Sequence, residues 1–145
     1  MTAGAFPNRY DRSCAALPEP GCGKCAGLLC YYLLEQHGVI DALGIPRTEL
    51  LQWLSLVDAG YKRGNAYHNA LHAADVTATV DYFMRQPNLE KHVVPLDRLA
   101  ALLAATIHDL GHSGVNNTFL ETTSDPLAVT YVEITVYIAS RREVY

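Results

Sequence analysis

The chain has 145 residues, half of them hydrophobic, enough for one domain with a buried core and too apolar for a disordered tail. Eleven Lys and Arg against fifteen Asp and Glu leave a net charge of −4, and no basic run exceeds Arg141-Arg142, which argues against polymeric DNA or RNA as a partner. The longest apolar stretch, Cys25 to Leu34, is ten residues, whereas a membrane-spanning helix takes roughly twenty.

Residues 1–24 are rich in Pro, Gly, Ala and Cys without periodicity, and 1–26 are expected to form a poorly ordered extension ahead of a helical domain over 27–145. Pro7, Asp11, Pro18, Glu19 and Pro20 stand where a secretory signal would need an apolar core, so a cytoplasmic location is expected. Cysteines occur at Cys14, Cys22, Cys25 and Cys30. Cys22 and Cys25 have the spacing of half a structural zinc site, but no second pair completes it, and incidental reduced thiols are the simpler reading.

From Ala26 the pattern is helical. Leu28, Leu29, Tyr32, Leu33 and Gln36 suit a short amphipathic helix ending near Gly38. Pro46 opens a second helix with Leu50, Leu54, Val57 and Tyr61 on one stripe. A third is expected from about Asn69 to Arg85, with Val76, Val80, Phe83 and Met84 as its apolar face, stopping before Pro87. The fourth starts near Pro95 and places Leu96, Leu99, Ala100, Leu103 and Ile107 on a surface that should be buried. Thr130 to Tyr137 has strand-like composition, but the fold class expected for the chain is all-α, a helical bundle.

Five of the six histidines fall between positions 68 and 112, four of them as the pairs His68/His72 and His108/His112. Spacing by four places each pair on one face of a helix or helix end. The neighbours His108 and Asp109 follow an apolar run that should dock in the core, where an unpaired carboxylate costs several kcal/mol or neutralises. A divalent cation removes that penalty. Imidazole and carboxylate donors suit zinc, and the oxygen content leaves room for Mg²⁺ or Mn²⁺ as a second ion. Each pair alone is more often a surface accident than a ligand set; the combination favours metal. His37 and His92 lie outside both phrases and are expected at the surface.

Tyr67 to Val76, YHNALHAADV, and His108 to Phe119, HDLGHSGVNNTF, resemble the catalytic domain of class I 3′,5′-cyclic nucleotide phosphodiesterases, within the HD hydrolase superfamily. Gly44-Ile45-Pro46, Leu50, Leu51, Leu54 and Tyr61 look like the family's approach to the same site. The similarity covers roughly residues 28–131 and only the N-terminal portion of the all-helical family domain. It implies that His72, His108 and Asp109 are zinc ligands, that Asp109 bridges to a second ion, usually Mg²⁺, and that His68 is the general acid for the departing O3′. It also places Tyr67 and Asn69 on the phosphate side of the pocket, His112 beside the second ion's waters, Asn117 in the pocket wall and Asp75 beside a histidine ring. The implied activity is hydrolysis of cAMP or cGMP to the 5′-monophosphate in signal transduction.

The family commonly has aspartate and proline where this chain has Gly111 and Ser113. Val132-Glu133 replaces an Asn-Asp pair, and Ile138 stands near the place of a pocket glutamate. The family's fourth zinc ligand, an aspartate, and its purine-holding residues lie on later helices, so a fragment or shortened isoform is expected. The alternative function is a catalytically incomplete helical module that binds a partner or dimerises, with a homodimer as one form.

Overall fold

The computed structural model describes residues 25–126 and Ala128, and among them every regular element is a helix. In chain order these are α1 (Cys25–Gln36), α2 (Val39–Ala42), α3 (Arg47–Gly60), α4 (Ala70–Met84), α5 (Pro87–Glu90), α6 (Pro95–Ile107) and α7 (Asn117–Thr122). The chain divides at Gly111/His112 into two units, so α1 to α6 belong to one and α7 to the other. The strand-like segment Thr130–Tyr137 lies outside the described residues, as do Cys14 and Cys22.

The expected punctuation sets the helix ends. Gly38, at φ +65°, takes the left-handed conformation that stops α1. Pro46 caps α3 with φ −64°, a value its ring imposes. Pro95 opens α6, where Asp97 Oδ2 accepts from the Val94 N–H at 3.1 Å. The four-residue helices α2 and α5, and α7, were not expected; each is too short to show a hydrophobic period.

α1 packs against α3, α4 and α6. Its Cys30, Leu33 and Leu34 meet Ile40, Leu54 and Leu102 in the larger core cluster. Each buried leucine contributes about 1.5–3 kcal/mol relative to exposure. A second cluster, containing Ala26, Val57, Tyr61, Ala73 and Ala74, sits beneath the histidine-bearing end of α4. Close approach is built in where α1 meets α3: the Gly27 N–H donates to Asp58 Oδ1 at 3.0 Å. A Cβ on Gly27 would lie 2.7 Å from both Asp58 Oδ2 and the Leu54 carbonyl oxygen.

Two expected apolar faces are rotated in the structure. On α4 the buried side is Ala70, Ala73, Ala74, Thr77, Asp81 and Met84, while Phe83 is exposed and Val76 and Val80 are half-buried. On α6 the buried side is Arg98, Leu102, Ala105 and Thr106, while Leu96 and Ala100 are exposed. Polar groups with internal partners account for the shift. Thr77 Oγ1 donates to the Ala73 carbonyl and Thr106 Oγ1 to the Leu102 carbonyl, both at 2.7 Å. The two hydroxyl oxygens are 3.2 Å apart across the α4–α6 seam.

Asp81, fully buried, is held by Arg85 Nε at 2.7 Å and by His37 Nε2 at 2.5 Å. The His37 side chain is only 10 % exposed, which corrects its expected surface location; its partner lies 44 positions away and no local pattern announces it. His92 is exposed, as expected.

Candidate metal centre

Two helix ends bring the histidine phrases together. At the start of α4, Asn69 is the cap: its Oδ1 accepts from the backbone N–H of Leu71 at 3.0 Å and of His72 at 3.2 Å. Its Nδ2 donates to the Asn65 carbonyl at 3.0 Å. The Asn69 amide therefore organises the turn that carries His72, beyond the pocket-lining place given it by the sequence. A polar cap residue just before an apolar helix was the available signal.

At the other end, α6 stops at Ile107 and His108 is its C-cap. Helix ends leave carbonyls without intrahelical partners. The Ala105 carbonyl lies 2.8 Å from His108 Nδ1, the Thr106 carbonyl accepts from the Tyr61 hydroxyl at 2.7 Å, and the Ile107 carbonyl accepts from the Leu110 N–H at 2.9 Å. Gly111, at φ +78°, takes the left-handed turn directly afterwards.

His72, His108 and Asp109 converge. One donor atom from each falls within 4.8 Å of the other two. Asp109 Oδ2 lies 3.4 Å from His72 Nε2 and 3.1 Å from His108 Nε2. A tetrahedral ion with bonds of about 2.0–2.2 Å sets neighbouring donors about 3.3–3.6 Å apart, so the His72 spacing matches and the His108 spacing is slightly shorter than that range. If His108 Nδ1–H donates to the Ala105 carbonyl, Nε2 presents either a lone pair for a cation or a second proton for Asp109. The mixed imidazole and carboxylate set is chemically suited to zinc.

The aromatic rings pack around this point. The His72 and His108 centroids are 5.2 Å apart, and the Tyr67 ring lies 4.4 Å from His72 and 5.0 Å from His68. His68 precedes α4, so the pair His68/His72 spans a helix entrance instead of a helical turn, with centroids 6.1 Å apart. Asp75 sits on the exposed side of α4.

His112 and Asn117 belong to the second unit. There His112 Nδ1 accepts from the Gly114 N–H at 2.9 Å, Asn117 begins α7, and Asn116 caps that helix through Phe119 N at 2.8 Å. Sequence reasoning placed Tyr61 on a core stripe and missed its hydroxyl contact at the end of α6. Burial raises the Tyr61 hydroxyl above its usual range, and a hydrogen bond from the Asp109 backbone partly opposes this. Among the described residues, no helix is long and apolar enough to cross a membrane.

Residues 67–137 match the sequence signature described as 3′5′-cyclic nucleotide phosphodiesterase. The chain is similar to a probable 3′,5′-cyclic phosphodiesterase of Caenorhabditis elegans, 41 % identical over 99 residues, covering 68 % of this chain and 13 % of the relative. It is similar to a human high affinity cAMP-specific and IBMX-insensitive 3′,5′-cyclic phosphodiesterase, 36 % identical over 104 residues, 72 % of this chain and 12 % of the relative. A Drosophila melanogaster 3′,5′-cyclic-AMP phosphodiesterase isoform is 37 % identical over 103 residues, 71 % of this chain and 16 % of the relative. The chain thus spans about one seventh of the length of these curated relatives.

Proposed function

Because the chain belongs to the 3′5′-cyclic nucleotide phosphodiesterase family and carries part of its catalytic domain, we propose that it serves the metal-dependent hydrolysis of a 3′,5′-cyclic nucleotide to the 5′-monophosphate. The observation that supports this most is the convergence of His72, His108 and Asp109 at one point. These three would hold a zinc ion. The Asp109 oxygen not facing the two rings would serve a second, oxygen-preferring ion, Mg²⁺ or Mn²⁺. When bound, the ions supply Lewis-acid charge beside the phosphorus.

The chain's own groups divide the remaining work. His68 lies outside the three-donor group yet within a ring's reach of His72. It would deliver a proton to the departing O3′. Tyr67 packs against both rings and would keep them oriented. Asn69 holds the first turn of α4, and with it the backbone of His72. The human and fly relatives are named for cAMP, which makes cAMP the first substrate to try.

The small share of the relatives that the chain spans, 12 % and 13 % for the human and nematode proteins, is compatible with a second reading: a catalytically incomplete module that acts by binding. Zinc content and turnover of cAMP and cGMP, measured on one purified sample, separate the two. About one equivalent of zinc with turnover supports the enzyme; zinc without turnover supports the module; neither zinc nor turnover overturns the metal-site assignment.

A further inference from the structure

We infer that Tyr61 is a positioning residue, whose hydroxyl fixes the way α6 ends and so holds His108 and Asp109 opposite His72. The inference rests on the metal-site reading above, although the geometry behind it involves only this chain's own atoms.

Three carbonyls at the end of α6 take part. The Ala105 carbonyl lies against the His108 ring and the Ile107 carbonyl takes the Leu110 N–H, both partners coming from within the turn itself. The Thr106 carbonyl between them has a partner from another element, the Tyr61 hydroxyl at 2.7 Å, 45 residues earlier in sequence. Tyr61 stands immediately after α3, and its side chain is buried with Val57, Ala70, Ala73 and Ala74. Three of those neighbours are alanines of α4, the helix that carries His72. The phenol ring therefore rests on the His72 helix while its oxygen grips the last turn of the His108 helix.

Removing that oxygen has two physical consequences. A buried carbonyl loses its partner, and the turn can relieve this only by winding further or fraying. Either movement swings His108 and Asp109, which follow Thr106 by two and three residues. Groups one step removed from a metal typically change its affinity by about 10- to 100-fold when removed.

The test compares Tyr61→Phe, which deletes only the oxygen, with Val57→Ala, which weakens the same cluster without touching the end of α6. Co²⁺ is titrated as a spectroscopic probe, and hydrogen exchange of the Asp109 and Leu110 amides is followed in metal-free protein. The expected result for Tyr61→Phe is about 10-fold or greater loss of Co²⁺ affinity, an altered visible spectrum and faster exchange at both amides. Val57→Ala should keep wild-type affinity and spectrum even if it melts at a lower temperature. Tyr61→Phe with wild-type affinity, spectrum and amide exchange would overturn the inference, as would equal losses in both variants. Should wild-type protein itself fail to bind Co²⁺, the metal reading fails. Amide exchange then decides alone: faster in Tyr61→Phe supports the positioning role, and unchanged rates overturn it.

Discussion

His37 Nε2 lies 2.5 Å from Asp81 Oδ1, tying the residue that follows α1 to the last turn of α4 across 44 positions of sequence. Asp81 has no exposure to solvent, and Arg85 Nε holds its other oxygen. Breaking a buried pair by removing one partner leaves a carboxylate with unmet demand and typically costs about 3–5 kcal/mol. Because Arg85 remains, His37→Leu is expected to lose the lower part of that range. The double variant His37→Leu, Asp81→Leu should recover part of it. Urea unfolding curves of the two check this; a double variant as unstable as the single one contradicts it.

Gly27→Ala should destabilise the protein even though alanine is the better helix former. The added Cβ meets the Leu54 carbonyl and the Asp58 carboxylate at 2.7 Å, so α1 and α3 must separate. Overpacking of this kind costs about 1–3 kcal/mol, more than the roughly 1 kcal/mol gained in helix propensity. A thermal unfolding midpoint at or above the wild-type value would show that the seam yields freely.

The three-donor assignment predicts unequal losses. His72→Ala and Asp109→Ala should each abolish bound zinc, whereas His68→Ala should retain it and lose turnover. Metal content by elemental analysis of matched samples distinguishes the variants. Equal loss in all three contradicts the division between ligands and proton donor.

Burial pushes the Cys30 thiol up from 9.0 to about 11. The folded state thus favours the neutral thiol, so its contribution to stability is complete below pH 9 and disappears as pH rises toward 11. Cys30→Ala should show a weaker loss of stability over that interval than wild type, measured by denaturant midpoints at several pH values. At pH 8 Cys30 should also alkylate far more slowly than the half-buried Cys25. Parallel pH profiles for wild type and variant would contradict the assignment.

Local chemistry made much of this structure legible in the sequence. Gly38, Pro46, Asn69 and Pro95 mark boundaries through backbone conformation, hydrogen-bonding capacity or a missing donor, properties that act over a few residues whatever surrounds them. The convergence of His72, His108 and Asp109 was legible because two close-set histidine phrases sit at helix ends. Packing direction was less accessible. Phe83 and Leu96 look like core residues by composition, yet Asp81 and Arg98 lie on the buried sides of their helices. Burial of such groups depends on partners supplied from elsewhere, as His37 is for Asp81, and hydrophobic periodicity carries no record of them. Tyr61 escaped for the same reason: an aromatic residue on a core stripe is indistinguishable, in sequence, from one whose hydroxyl closes another helix.

The threonines facing each other across the α4–α6 seam have a further consequence. Thr77 and Thr106 own one hydroxyl proton each, yet three contacts compete for them: the Ala73 carbonyl, the Leu102 carbonyl and the oxygen of the opposite threonine. One contact must always go without. Rotating either hydroxyl away from the carbonyl of its own helix and toward the opposite threonine would therefore exchange a bond within one helix for a bond between α4 and α6.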